Sequence, residues 1–164
     1  MIALQVEDVK NFMNKLFKDV TFDEFEVVSV DLQQGISYTI DGALQLQFYD
    51  SLEKELLNDQ KYIKWSELKG TVFSIIKGNK TPSTMKIVFV VSQKSKLNLV
   101  NKSSSVYQPE DVNGFYLNII FDASGLKIVT GINYKLFSLD KSIENYYDDS
   151  ILRFFSKNDI LIIS

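Results

Sequence analysis

Val9, Phe12, Met13, Leu16 and Phe17 recur at the spacing of one buried stripe on an α-helix, and Glu7 and Asp8 stand where the helix dipole favours anions. This pattern predicts a helix over 8–18, preceded by a short strand, IALQV, at 2–6. FEVVSVDLQ (25–33) and ISYTI (36–40) are β-branched and aromatic-rich runs separated by Gln34-Gly35. Asp41-Gly42 closes them before a third run, LQLQFY, so an antiparallel meander is predicted. From Asp50 to Lys64 the chain turns charged and polar, with Leu52, Leu56 and Leu57 marking a short helix. Ser66 stands at an N-cap position, and Leu68, Val72, Ile75 and Ile76 continue at helical spacing to Gly78, predicting a second amphipathic helix over 66–77.

KIVFVVS (86–92) is apolar on both faces, the pattern of a strand central in its sheet. Lys94 to Pro109, with Ser103, Ser104 and Ser105, is the most loop-like stretch. Phe115–Asp122, Leu126–Thr130 and Tyr134–Leu139 read as a second meander, with turns at Asp122 to Gly125 and Gly131 to Asn133. Asp140 stands where it would cap a final helix over 141–156, whose apolar stripe is Ile143, Tyr147, Ile151 or Ser150, and Phe154. DILII then suggests an edge strand, ahead of a terminal serine.

Sliding the chain against itself by 59 residues lays Val9 on Leu68, Lys10 on Lys69, Met13 on Val72, Leu16 on Ile75, Phe17 on Ile76 and Lys18 on Lys77. The same offset lays the strand at 25–33 over 84–92. Any two amphipathic helices in phase match at their apolar positions, so the offset suggests, without proving, two pseudo-repeat halves at about 1–50 and 60–140 within one domain spanning 1–164.

Composition narrows the chemistry. Hydrophobic residues are 45% of the 164 and aromatics 13%, with 7 Gly and 2 Pro, as expected of one domain folded around one core. The absence of His and Cys removes Ser-His-Asp and Cys-His catalysis, thiolate or imidazole zinc sites, and disulfides. A net charge of -3 leaves only a local basic face for an anionic partner. The opening MIALQVEDVK carries acids where a secretory leader needs cations, and the longest apolar run in the middle of the chain, Ile87 to Val91, is far short of a membrane span. A cytoplasmic chain with no membrane partner is the expectation.

TIDGALQLQFY, WSELKGTVFSIIKGNKTPSTMKIVFVVS, PEDVNGFYLNI and KLFSLDKSIENYYDD resemble a family of short bacterial proteins known as a domain of unknown function, nearly end to end. That resemblance implies no activity. The order strand, helix, three strands, helix, three strands is similar to one module of a DNA sliding clamp, and GLKIVTGINYKLFSLD resembles the closing hairpin of a bacterial clamp module. The implied fold is α+β: antiparallel sheets with two amphipathic helices on one face, clamp-module-like, plus a C-terminal helix. Known clamps string two or three modules per chain, so a lone module would have to form a homo-oligomer to encircle anything.

In clamp modules the helices present cations to DNA phosphates. Here Lys10, Lys15 and Lys18 face away from the first stripe, and Lys69, Lys77 and Lys80 away from the second, while Asp19, Asp23, Glu24, Glu26, Asp31 and Asp41 gather near strands and loops. These six lysines are the candidate nucleic-acid or anion contacts, against the plainer reading that lysines solubilise any exposed helix face. IKGNKTPS combines Lys77, Gly78, Lys80 and Thr81, but its glycine follows a helix and precedes a strand, the reverse of a P-loop, so a helix stop and turn is the plainer reading. Asp140, Glu144 and Asp148, with Asp149 beside them, could gather around Mg²⁺ or work as an acid/base pair. A solvated helical face explains them more cheaply. Trp65 with Tyr62, or Tyr146 with Tyr147, could stack on a base, although Trp65 suits a hydrophobic staple. Ser103 to Ser105 with Lys102 gives a Ser-Lys dyad only on paper. The resulting expectation is a binding module without cofactor or catalytic metal, contacting nucleic acid or a protein. The rival is a small enzyme using the carboxylates with a metal, or the lysine-bearing loop with a phosphorylated substrate.

Overall fold

The computed structural model of the chain describes residues 1–78, 80–103, 106–135, 137 and 139–163. The elements run β1 (Ala3–Val6), α1 (Val9–Phe17), β2 (Glu26–Gln33), β3 (Ser37–Asp41), α2 (Ser51–Leu57), β4 (Ile63–Lys64) and α3 (Trp65–Ile76). They continue with β5 (Thr84–Val90), α4 (Gln93–Lys102), β6 (Val112–Asp122), β7 (Gly125–Tyr134), α5 (Ser142–Lys157) and β8 (Ile162–Ile163). The strands form one antiparallel sheet in the order β3-β2-β5-β6-β7-β1-β8, with β4 also on β2. Setting aside α2 and α4, the order strand, helix, three strands, helix, three strands is the expected one, with β4 in place of LQLQFY as the third strand of the first set.

Register separates the two faces of this sheet. Ile40, Val30, Ile87, Ile119, Ile128 and Leu4 pair in one continuous row, and five of the six are buried. The next row reads Thr39, Asp31, Lys86, Ile120, Lys127 and Gln5, the polar alternate of a sheet covered on one side. Phe89, on the covered face, meets Trp65 of α3 at 5.3 Å and Phe22 at 5.9 Å between ring centroids. Tyr147 of α5 packs on Phe115 of β6 at 4.9 Å. The helices α1 and α3 lie side by side on this face, as the stripes predicted: Phe17 contacts Trp65 and Phe73, and the Trp65 indole N–H donates to the Leu16 carbonyl at 2.7 Å. The α5 helix joins the same layer.

Several expectations are corrected. LQLQFY is not a third strand; Leu46–Phe48 form a single 3-10 turn with no buried residue, and Leu46 and Phe48 face solvent. The short helix α2 is present, but Leu52 and Leu56 face solvent. Ser66 does not cap α3. The helix begins at Trp65, and its first amides donate to the Phe25 and Asp23 carbonyls instead of to a cap side chain. The loop-like stretch contains α4, capped by Ser92 and tied down where Lys96 Nζ donates to the Val112 carbonyl at 2.9 Å. The predicted turn at Gly131 to Asn133 is strand: β7 runs straight through it, with Gly131 paired to Tyr116. Lys135, Phe137 and Leu139 are not in a strand, and Leu136 and Ser138 of that expected element lie outside the described residues. Lys141 holds the cap position of α5, and Asp140 accepts the Ser142 amide one step outside it at 2.9 Å. KIVFVVS is central as expected: Ile87 and Phe89 are buried on the helix-covered face, and on the other face Val90 is buried and Val88 half-buried. DILII does supply an edge strand, β8 on β1, and the final Ser164 lies outside the described residues.

Glu26 is buried in β2 between β4 and β5. Burial raises its carboxyl above the ordinary range, more than the Tyr62 amide and Lys64 lower it. The folded chain then holds this proton more tightly than the unfolded chain, so stability falls as pH rises from the unfolded value through the folded one. Glu26→Gln is expected to melt higher than wild type at pH 7 and to lose that advantage below pH ~4, where both states are protonated. A melting series across that range checks it; a lower melting point for the glutamine variant at pH 7 contradicts it.

Candidate binding site

The α1 stripe turns Lys10 and Lys18 to solvent and leaves Lys15 half-buried. Lys69 is not a free cation. Its ammonium lies 2.7 Å from the Asp23 carboxylate and donates to the Asp19 carbonyl at 2.9 Å, so it fastens α3 to the segment between α1 and β2. The expected surface of equivalent lysines on the two helices is broken at that point. Lys77, which follows α3, and Lys80 beyond it are exposed.

Lys18, Lys77 and Lys80 instead line one cavity of about 280 Å³, between the C-terminal ends of α1 and α3 and the adjoining ends of β5 and β6. Its walls are Met13, Phe17, Phe73, Ile76, Met85 and Phe121. Gly78 and Thr81 of IKGNKTPS also line it, whereas Asn79 lies outside the described residues. No Asp or Glu occurs among the described lining residues. Two helix C-termini point here, each equivalent to about half a negative charge. Three lysines outweigh them, and the last turns already use carbonyls internally: Asn14 accepts from the Lys18 amide and Phe73 from the Lys77 amide. The described lining residues therefore carry a net positive charge.

The C-terminal carboxylates are dispersed among protein partners. Asp140 accepts from the Ser142 and Val106 amides, and those hydrogen bonds hold its carboxyl below the usual range. Glu144 pairs with the Met1 ammonium and with Lys141, and the bond to the ammonium lowers its carboxyl. Asp148, buried, accepts from the Thr130 hydroxyl at 2.5 Å and lies 3.0 Å from the Met1 ammonium. Asp149 is exposed. Among the described residues no three His, Cys, Asp or Glu side chains gather where a metal ion could sit. Adding Mg²⁺, Mn²⁺ or Zn²⁺ is expected to leave the melting temperature unchanged. A specific ion at a hundred times its dissociation constant would stabilise by about 2.7 kcal/mol, so a saturable upward shift would restore the metal enzyme as a reading.

The aromatic candidates serve the core. Trp65 is fully buried and its N–H is spent on Leu16, so it stacks on no base. Tyr147 is buried, donates to the Tyr116 carbonyl at 2.9 Å, and has its ionisation pushed up by burial. Tyr146 is half-buried with Arg153 over its ring at 5.8 Å, and the carbonyl of half-buried Tyr62 accepts from Gln60. Ser103 donates its hydroxyl proton to the Val100 carbonyl at the end of α4, beside exposed Lys102; Ser104 and Ser105 lie outside the described residues. The sequence pattern places Met13 and Phe17 in the core and does not mark Phe73, Met85 or Phe121 as cavity walls. The signal in the sequence is Phe73, a large aromatic beside the α3 stripe, which the structure leaves 37% exposed.

These features define an α+β domain whose helix layer covers one face of an open antiparallel sheet and leaves a cationic, apolar-walled cavity at one end. Residues 15–162 match a family of unknown function, DUF5721, and the chain belongs to that family. It matches no curated protein and no solved structure. The resemblance to a sliding-clamp module is not confirmed by these comparisons. Among the described residues no helix is long and apolar enough to cross a membrane.

Proposed function

We propose that the chain is a non-enzymatic binding module that holds an anionic partner at the cavity between the ends of α1 and α3. The observation that carries this reading is the convergence of Lys18, after α1, with Lys77 and Lys80, after α3, on a cavity with no carboxylate among its described lining residues. A concave site favours a compact anionic group over a duplex laid across the helix layer, where Lys69 is already neutralised. A chain without cysteine suits the reducing bacterial cytoplasm, which is the setting this proposal assumes.

The triple variant Lys18→Glu, Lys77→Glu, Lys80→Glu is expected to fold as wild type does, since exposed substitutions seldom change stability by more than about 0.5 kcal/mol each. Its affinity for anionic probes at low salt should vanish, while Lys10→Glu leaves affinity unchanged. Duplex DNA belongs in the same titration beside a mass measurement, because an oligomer gathering several such cavities would bind it with a log–log salt slope of about -0.9 per phosphate contacted. Wild-type protein that binds no anion at low salt, or a triple variant that binds as well as wild type, would overturn the proposal.

A further inference from the structure

We infer that the occupant of this cavity is a single-chain amphiphilic anion, a molecule with one unbranched apolar tail and one carboxylate or phosphate head. The inference rests on the anion-binding reading above and names its ligand class. Six of the lining side chains, Met13, Phe17, Phe73, Ile76, Met85 and Phe121, are apolar and come from four different elements. They run from fully buried at Met85 to partly exposed at Phe73, while the three lysines are all exposed. The cavity therefore grades from an apolar floor to a cationic mouth. An anion lacking a tail would meet only the mouth. The 280 Å³ of space equals about nine waters at roughly 30 Å³ each, far more than a bare phosphate or carboxylate fills, and the remainder would stay as water against hydrocarbon.

The polar residues available fit this class and disfavour others. Apart from the lysines, only Asn14 and Thr81 among the described lining residues carry a polar side chain, so a sugar or a nucleobase would lose its hydrogen bonds to water with few replacements. A tail needs none. Met13 and Met85 are unbranched and soft, suited to walls that accommodate a flexible chain. The volume accommodates a tail of about eight to ten carbons, each methylene displacing roughly the space of one water.

Titration calorimetry on the full chain, with each probe below its micelle concentration, tests this. The probes are hexanoate, octanoate, decanoate, dodecanoate, decyl phosphate, decanol, decyltrimethylammonium, inorganic phosphate, and vesicles of anionic phospholipid. Affinity is expected to tighten about fourfold per methylene from hexanoate to decanoate, the ratio that the transfer of one CH₂ implies, and to level off at dodecanoate as the tail outgrows the cavity. Decyl phosphate should bind, and decyltrimethylammonium should bind at least about tenfold more weakly than decanoate, as expected for a head facing lysines. Lys77→Gln with Lys80→Gln should weaken decanoate but not decanol, and Phe73→Ala should flatten the chain-length series while leaving the head preference. Anion binding that ignores chain length, with inorganic phosphate as good as decanoate, would overturn the amphiphile and leave the anion site standing. Binding to vesicles without binding to any free chain would overturn it in favour of a membrane surface. No binding by any anionic probe would overturn both readings together.

Discussion

Trp65→Ala is expected to cost about 4 to 6 kcal/mol, enough to bring the domain to the edge of unfolding at room temperature. Truncating a buried aromatic to alanine costs about 3 to 5 kcal/mol through lost burial and the cavity left behind. Here the indole N–H also donates to the Leu16 carbonyl in the interior, and its loss adds about 1 kcal/mol. Trp65 is fully buried and its ring contacts both Phe17 of α1 and Phe89 of β5, so one side chain joins two helices to the sheet. Whole domains are stable by only about 5 to 15 kcal/mol, which leaves such a variant little margin. Urea unfolding followed by far-UV circular dichroism measures it, since Trp65 is the only tryptophan and its fluorescence goes with it. A loss below about 1.5 kcal/mol would show that the helices are held by other means. The milder Trp65→Phe keeps a ring but not the donor; it should stay folded and still weaken ligand binding, because this residue helps set the α1–α3 spacing across which Lys18 and Lys77 face the cavity.

Gly42→Ala is expected to be the second most damaging single change, costing about 3 kcal/mol or more. An added Cβ would sit 1.8 Å from the Val27 carbonyl oxygen and 2.7 Å from its carbon. Those atoms are backbone, so no flexible side chain can swing aside, and overpacking that moves backbone lies at the upper end of the usual range of about 1 to 3 kcal/mol. The position explains the close approach. Gly42 follows β3 where β2 changes partner from β3 to β4, its amide donates to the Val28 carbonyl, and its own carbonyl accepts from Ile63. Hydrogen exchange in the variant should therefore accelerate first at the Gly42-equivalent and Ile63 amides, together with a lowered denaturation midpoint. Gly70→Ala is the control: nothing lies within 4 Å of an added Cβ in the exposed middle of α3, and the change should stabilise by about 0.5 to 1 kcal/mol. Equal stability of the Gly42 variant and wild type would mean that β2 and β4 separate freely.

Much of the candidate site could be read as residues and little of it as a site. Lys18, Lys77 and Lys80 are legible as exposed cations because each interrupts or follows an apolar stripe. Their meeting at one cavity depends on two helices 59 positions apart in register ending beside the same ends of β5 and β6, which no local pattern states. The loss of Lys69 to Asp23 was equally invisible, since it depends on how the chain between α1 and β2 folds back under α3. The carboxylates of α5 looked like a cluster along one helix, and their neighbours from elsewhere, Thr130 and the Met1 ammonium, assign Asp148 and Glu144 to holding elements together.

The sequence by itself determined the elements whose side-chain period is strong: the α1 stripe, β2 and β5, the α3 and α5 stripes, the edge strand β8, and with them an α+β fold with both predicted helices on one face. These follow from short-range geometry, because a repeat of 3.6 or 2 residues buries one face whatever the partner proves to be. Tertiary structure alone decided the rest. The α4 helix buries only Val100 and depends on Lys96 reaching the Val112 carbonyl; β7 crosses the turn-like Gly131 to Asn133 because β6 offers it a full ladder; α3 starts at Trp65 because carbonyls some forty residues earlier accept its first amides. In each case the free energy lies in partners distant along the chain, and a local pattern carries no information about a group that only folding brings within 3 Å.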